Sequence, residues 1–85
     1  MSIQDAFTQA VADSKTLPQK PDNDTLLELY GLYKQATEGD APAESGASGF
    51  DFTAKFKHEA WSKLRGMAKE AAMQQYTALV QRLKG

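Results

Sequence analysis

Two tyrosines and a lysine crowd one side of a predicted helix. At the ~100° per residue of an α-helix, Tyr33 and Lys34 each fall within about 60° of Tyr30. An ammonium group is a point donor for phosphate, and a tyrosine ring can stack on a purine base. Lys57, on another predicted helix, lies at the centre of an apolar arc, one turn before Trp61. Together these side chains suit an anionic ligand that has a planar part.

Each of these residues also has an ordinary structural interpretation. Both tyrosines could pack at the rim of the core with Lys34 in solvent, and Lys57 could lay its stem on the core with its ammonium in water. Tyr76 is typical of a buried aromatic residue whose hydroxyl is hydrogen-bonded. However, Leu26 and Leu27 extend the tyrosine arc beyond what a small core requires, and they could cover a hydrocarbon tail. The residues therefore indicate a pocket for an amphipathic anion beside the structural alternatives.

The composition excludes several classes of chemistry. The chain has 85 residues, enough for one domain, with 10 Lys plus Arg against 11 Asp plus Glu and a net charge of −1. This balance argues against nonspecific nucleic-acid binding. The chain contains no cysteine, which removes disulfides and thiolate ligands, and His58 is its single histidine. Because no nucleophile–base pair or metal cluster is legible, we expect neither an enzyme nor a bound metal or cofactor.

The sequence also bears on location. It has no apolar run of the roughly 18–20 residues that a membrane span needs. Its first residues, MSIQD, lack the basic and apolar regions of a signal peptide. We therefore expect a soluble, cytoplasmic protein; separately, we expect it to be a monomer.

Three breaks divide the chain into four predicted helices. The breaks are the two prolines at 18 and 21, the glycine-rich stretch 39–49, and Gly66. The helices are predicted over residues 3–15, from Pro21 to Gly39, from 51–53 to 66, and over 69–83. The pattern predicts an all-α helix bundle. The long 39–50 connection would let the second and third helices run in the same direction.

Capping residues and apolar stripes support these helices. Ser2 is a predicted N-cap for the first helix, and Asp22 or Asp24 for the second. The second helix has a core stripe of Leu29, Leu32 and Ala36. The last helix has the cleanest stripe in the chain, made of Ala72, Met73, Tyr76, Leu79, Val80 and Leu83.

Three blocks of the sequence resemble the acyl-CoA-binding protein family. Residues 29–40, LYGLYKQATEGD, match the family signature Y-x-x-Y-K-Q-A-T-x-G-D. Residues 57–66, KHEAWSKLRG, are similar to the family block K-x-x-A-W-x-x-L-x-G, and residues 72–76, AMQQY, to A-M-x-x-Y. Residues 7–15 are similar to the family's first helix. The resemblance covers nearly the whole chain, in order.

The resemblance implies a fold and a function. The family fold is a four-helix, up-down-down-up bundle with a long connection between helices 2 and 3, so residues 1–85 would form one acyl-CoA-binding domain. Family members bind medium- to long-chain fatty acyl-CoA thioesters noncovalently, protect the acyl chain from water, and deliver the ester to enzymes and membranes. They catalyse no reaction, and the acyl-CoA is a ligand rather than a cofactor.

The same resemblance implies roles for eight residues. Tyr30, Lys34 and Lys57 would bind the 3′-phosphate. Tyr33 would stack near the adenine, Lys15 would lie near the nucleotide, and Tyr76 would contact the ligand from the last helix. Leu26 and Leu27 would line the acyl groove.

The sequence departs from the family pattern in three places. His58 stands where many members have tryptophan, which reduces the aromatic cover beside Lys57. The 41–49 stretch lacks the usual Arg-Pro-Gly. Ala68 replaces the serine or threonine that often caps the last helix, at a cost of about 0.5–2 kcal/mol. These departures bear on chain-length preference and stability more than on phosphate binding.

One competing interpretation belongs to a different functional class. A helical protein-interaction module would keep the bundle and use the second arc of helix 2 to bind a partner helix. Lys34 and Lys57 would then be ordinary charges at the rim, whereas a carrier needs both near one phosphate.

Overall fold

The computed structural model describes residues 2–43 and 52–85. Within these residues the chain forms four α-helices and no strand. The helices are α1 (Ile3–Ser14), α2 (Asn23–Glu38), α3 (Phe52–Ser62) and α4 (Lys69–Lys84). The predicted all-α helix bundle is confirmed. The predicted loop residues 44–49 and the start of α3 at Asp51 lie outside the described residues.

Side-chain caps fix the first two helices where the sequence predicts them. The Ser2 hydroxyl accepts a hydrogen bond from the backbone N–H of Asp5 at 3.0 Å. Of the two aspartates predicted as caps for α2, Asp22 is the one that bonds, accepting from the Thr25 N–H at 2.8 Å. Helix α4 begins after Ala68 without any side-chain cap, as expected for a residue with no acceptor.

Helix α3 ends earlier than the sequence predicts. The α-helical bonding ends near Ser62, and the chain tightens into three-residue turns, with Leu64 N–H bonded to Trp61 O and Arg65 N–H to Ser62 O. Gly66 then adopts a φ of 93°, which favours glycine because it has no Cβ. The glycine is therefore the end of the turn rather than the end of the helix. Helices α1 and α4 match their predicted ranges to within one residue.

The order of contacts gives the helix directions. From one end of α2 to the other, its residues meet successively later residues of α3: Leu26 and Thr53 line one groove, Gly31 faces Ala60, and Lys34 lies over Trp61. Helices α2 and α3 are therefore parallel, so the end of α2 at Glu38 and the start of α3 at Phe52 lie at opposite ends of the helix pair.

The core lies where α1, α2 and α4 meet. Its buried members are Phe7, Ala10, Leu29, Leu32, Ala36, Ala72, Tyr76, Leu79 and Val80. These include the stripe predicted for α2 and most of that predicted for α4. Ile3, in the first turn of α1, is 40% exposed because it lies beyond the end of the core cluster.

Helices α2 and α3 touch through their backbones at one point. A Cβ added to Gly31 would lie 2.8 Å from the Ala60 carbonyl oxygen, which is closer than real Cβ contacts come. Only glycine allows this approach.

In the residues that the structure describes, no helix is long and apolar enough to span a bilayer.

Trp61 should be a major source of stability. It is 8% exposed, and its indole Nε1–H donates to the Gly39 carbonyl at 2.7 Å. We expect Trp61→Ala to lower the free energy of unfolding by about 3–5 kcal/mol, measured by urea denaturation with far-UV circular dichroism. Trp61→Phe keeps an aromatic ring but loses the donor, so its loss should be smaller. An unchanged midpoint for Trp61→Ala would contradict this assignment.

Candidate ligand-binding groove

A groove of about 310 Å³ opens between the N-terminal halves of α2 and α3. Residues one turn apart on each helix face it, because side chains at i and i+4 share a face. We call it the first groove; its lining residues are Asn23, Leu26, Leu27, Tyr30, Thr53, Phe56 and Lys57. Four of the eight predicted site residues are therefore in one groove: Leu26, Leu27, Tyr30 and Lys57.

Lys57 lies against the tyrosine of the facing helix. Its Nζ is 5.4 Å from the centroid of the Tyr30 ring, which is within the range of a cation–π contact. The Lys57 side chain is exposed, although its position on a helical wheel is the centre of an apolar arc. It is exposed because α3 packs only on α2 among the described helices. The ammonium is thus held at the groove wall, where it can meet an anion.

Lys34 lies one turn beyond Tyr30 and outside the lining of the first groove. Its ammonium is 4.9 Å from the Trp61 ring centroid and donates to the Glu38 carboxylate. That hydrogen bond raises the pKa of Lys34 above its ordinary value; the charge of Glu38 and the nearby tyrosines add to the effect, and partial burial opposes it. An anion that binds Lys34 competes with Glu38 for the same ammonium.

Tyr33 and Tyr76 belong to an aromatic cluster with Phe7. The rings of Tyr33 and Phe7 are stacked, with centroids 6.0 Å apart, and the Tyr76 ring meets Phe7 edge-on at 5.2 Å. Tyr76 is buried and its hydroxyl donates to the Ser14 Oγ at 3.1 Å, as the structural interpretation expects. Tyr33 is 40% exposed, so it is the member of the cluster that is open to a ligand.

Lys15 caps the C-terminal end of α1. It is exposed and directly follows Ser14, which accepts the Tyr76 hydroxyl. Seven of the eight predicted site residues therefore fall into two neighbouring sets: the first groove, and the aromatic cluster with the end of α1. Tyr30, Tyr33 and Lys34 join the two sets along one face of α2.

Comparisons with known proteins identify the family of this chain. A family model described as acyl-CoA-binding protein matches residues 4–80. The chain belongs to the acyl-CoA-binding protein family. It is 41% identical over 83 residues to an acyl-CoA-binding protein homolog of Manduca sexta, covering 98% of this chain and 92% of that one. It is 42% identical over 81 residues to the acyl-CoA-binding protein of Saccharomyces cerevisiae, covering 95% and 92%.

A solved structure also matches. The crystal structure of Oryza sativa acyl-CoA-binding protein 2 superimposes with a TM-score of 0.87 at 36% identity, covering 96% of this chain and 90% of that chain. The resemblance seen in the three sequence blocks is thus confirmed for both family and fold. Membership of this family does not favour the alternative of an interaction module without a ligand.

The second half of the family signature in this chain is structural. Gln35 is fully buried, and its amide nitrogen donates to Asp40 Oδ1 at 3.0 Å and to the Met67 carbonyl at 2.8 Å. The same Asp40 oxygen accepts the Gly66 N–H at 2.8 Å. These bonds join the end of α2 to the turn between α3 and α4. The sequence pattern alone predicted no role for Gln35 or Asp40.

A second set of bonds ties residues 41–42 to α3 and its following turn. Arg65 Nη2 donates to the Ala41 carbonyl at 2.9 Å, and His58 Nε2 lies 2.8 Å from the Pro42 carbonyl oxygen. The half-buried His58 therefore contacts the connection, which the sequence did not predict. Together with Asp40, these side chains hold α3 beside α2 and so fix Lys57 opposite Tyr30.

The Asp40 carboxylate should make this link sensitive to acid. Hydrogen bonds from the Gly66 N–H and the Gln35 amide hold the pKa of Asp40 below its ordinary value of 3.8; desolvation opposes them, and the charge of Arg65 adds to the lowering. Because the pKa is lowered on folding, this stabilisation is complete above the unfolded pKa and is lost as the pH falls through the lower folded value. Stability should therefore fall on acidification below pH 3.8.

The test is the pH dependence of the urea midpoint in wild type and in Asp40→Asn. The asparagine amide oxygen can still accept both hydrogen bonds but does not titrate. We expect the variant's midpoint to fall less steeply with acid than that of wild type. Parallel curves would contradict the proposed link.

Proposed function

We propose that this protein binds medium- to long-chain fatty acyl-CoA thioesters noncovalently, protects them from water and transports them. The observation that carries the proposal is the first groove, where Leu26 and Leu27 form an apolar wall beside Tyr30 and Lys57. A hydrocarbon chain is stabilised when it is buried against the leucines, and a phosphate is stabilised by charge-assisted hydrogen bonds from the ammonium. Family membership supplies the ligand class that combines both.

The proposed roles follow the arrangement of the side chains. Tyr30, Lys34 and Lys57 bind the 3′-phosphate, since Lys34 lies one turn from Tyr30 on α2 and Lys57 reaches the Tyr30 ring from α3. Tyr33 stacks near the adenine. Lys15 lies near the nucleotide, and Tyr76 contacts the ligand from α4. A terminal phosphate carries about −1.5 to −2 charges at pH 7, enough for two cations.

The proposal includes the way in which the protein works. It acts as a monomeric cytoplasmic carrier, in one domain, without catalysis, metal or cofactor, and it delivers its ligand through transient contacts with acyl-CoA-using enzymes or membranes. The exposed placement of Lys57 and Tyr33 supports exchange, because a ligand held on the surface of the bundle can leave without unfolding it.

Isothermal titration with hexadecanoyl-CoA, free CoA and free hexadecanoate tests the ligand class. The thioester should bind far more tightly than either half, because head and tail contacts belong to one ligand and share one association cost. If the free fatty acid binds as well as the thioester, the carrier proposal is wrong.

Replacing Lys34 or Lys57 with methionine tests the phosphate site. Each charged hydrogen bond to phosphate is worth on the order of 1.5–3 kcal/mol, so each variant should fold normally and lose about tenfold or more in affinity. The loss should be smaller for Lys34, since Glu38 already pairs with its ammonium. Tyr30→Phe should weaken binding by less than either lysine variant.

The control ligand for this test is an acyl-CoA that lacks the 3′-phosphate, for which both losses should nearly vanish. The control variant is Lys63→Met, which removes an exposed ammonium from the turn after α3 and should leave affinity for a short acyl chain unchanged. Equal losses with and without the 3′-phosphate would show that Lys34 and Lys57 do not bind it.

A further inference from the structure

A second groove lies on the other flank of the contact between α2 and α3. Its volume is about 410 Å³, larger than that of the first groove. Its floor is apolar, with Ala60 and Leu64 from α3 and the following turn. Two of its lining residues, Leu27 and Phe56, also line the first groove. The two grooves are therefore separated by a wall made of these two side chains.

The rims of the two grooves carry opposite charges. Lys57 is the charged residue that lines the first groove. The second groove has three carboxylates, Asp24, Glu28 and Glu59, and one ammonium, Lys63, which pairs with Glu59 at 3.8 Å. A polyphosphate is repelled by the acidic rim and attracted by Lys57. An amphipathic anion in the first groove is thus oriented with its head at Lys57, and the second groove can accept only its apolar end.

Of the two wall residues, Phe56 is the one that can be replaced without disturbing the core. It is 56% exposed, so removing its ring opens space without leaving a cavity in the core. Leu27 is less exposed and lies one turn before Gly31, where α2 and α3 touch. On the C-terminal side of Leu27, the backbone contact at Gly31 leaves no space between α2 and α3. An acyl chain in the first groove therefore meets Phe56 before it can enter the second groove.

We propose that Phe56 sets the upper limit of acyl-chain length, because it closes the first groove against the second. The inference rests on the proposed function. In wild type, each methylene that fits within the first groove adds about fourfold in affinity. Methylenes beyond the wall stay in water and add nothing. Phe56→Ala joins the grooves, so longer tails cross the apolar floor of the second groove.

The experiment is isothermal titration of wild type and variants with octanoyl-, dodecanoyl-, hexadecanoyl- and eicosanoyl-CoA, each below its micelle concentration. The measurement is the ratio of affinities for long and short chains, in which contacts that Phe56 makes with every chain cancel. Phe56→Ala should raise the eicosanoyl-to-dodecanoyl ratio by about tenfold or more. Phe56→Trp, which enlarges the wall, should lower it.

Phe52→Ala is the matched control. Phe52 is on the same helix, is 63% exposed and lines neither groove, so the ratio should not change. Thermal unfolding by circular dichroism checks that every variant is folded. If wild type binds no thioester more tightly than free CoA, the proposed function fails. If wild type binds thioesters but Phe56→Ala and Phe56→Trp keep its ratio, only the role of Phe56 is overturned.

Discussion

The backbone contact between Gly31 and Ala60 is the constraint on which the rest of the structure depends. Because a Cβ at Gly31 would lie 2.8 Å from a carbonyl oxygen, the two helices can approach this closely only at a glycine. On the N-terminal side of this contact, α2 and α3 enclose the first groove between their side chains. On the C-terminal side, Trp61, Arg65 and Asp40 bind the connection to the following turn. One glycine thus separates a region that receives a ligand from one that holds the helices together.

The signature of the family combines both tasks in a single helix and its cap. Its first half, Tyr30 to Lys34, presents rings and an ammonium to solvent and to the groove. In its second half, Gln35 and Asp40 are bonded to each other and to Met67 and Gly66 in the turn before α4. Gln35 is fully buried, and a buried polar group is costly unless it is hydrogen-bonded, so its bonds to Asp40 and Met67 favour one docking position. The position of Lys57 opposite Tyr30 is a result of that docking.

The sequence was sufficient for the helices, their caps and most of the core, since apolar spacing and capping residues are local signals. It also placed Leu26, Leu27, Tyr30 and Lys57 in a common site, through the family blocks that contain or adjoin them. The polar link through Gln35 and Asp40 was missed because its partners, Met67 and Gly66, are far away in sequence. One available signal was the position of Gln35, because a helical wheel places this polar residue next to the core residue Leu32. The early end of α3 was missed because a glycine was interpreted as a helix stop, whereas tight turns precede it.

The attachment of α3 to α2 alone, among the described helices, has a consequence for local opening. An element that packs against one neighbour can detach with a lower free energy than one in the centre of the core, so α3 is expected to exchange its amide hydrogens sooner than α4. A ligand held by α2 and α3 together stabilises only the attached form, by an amount that grows with RT ln(1 + [L]/Kd). Ligand binding would then slow amide hydrogen exchange in α3, while exchange in the core of α1, α2 and α4 would not change.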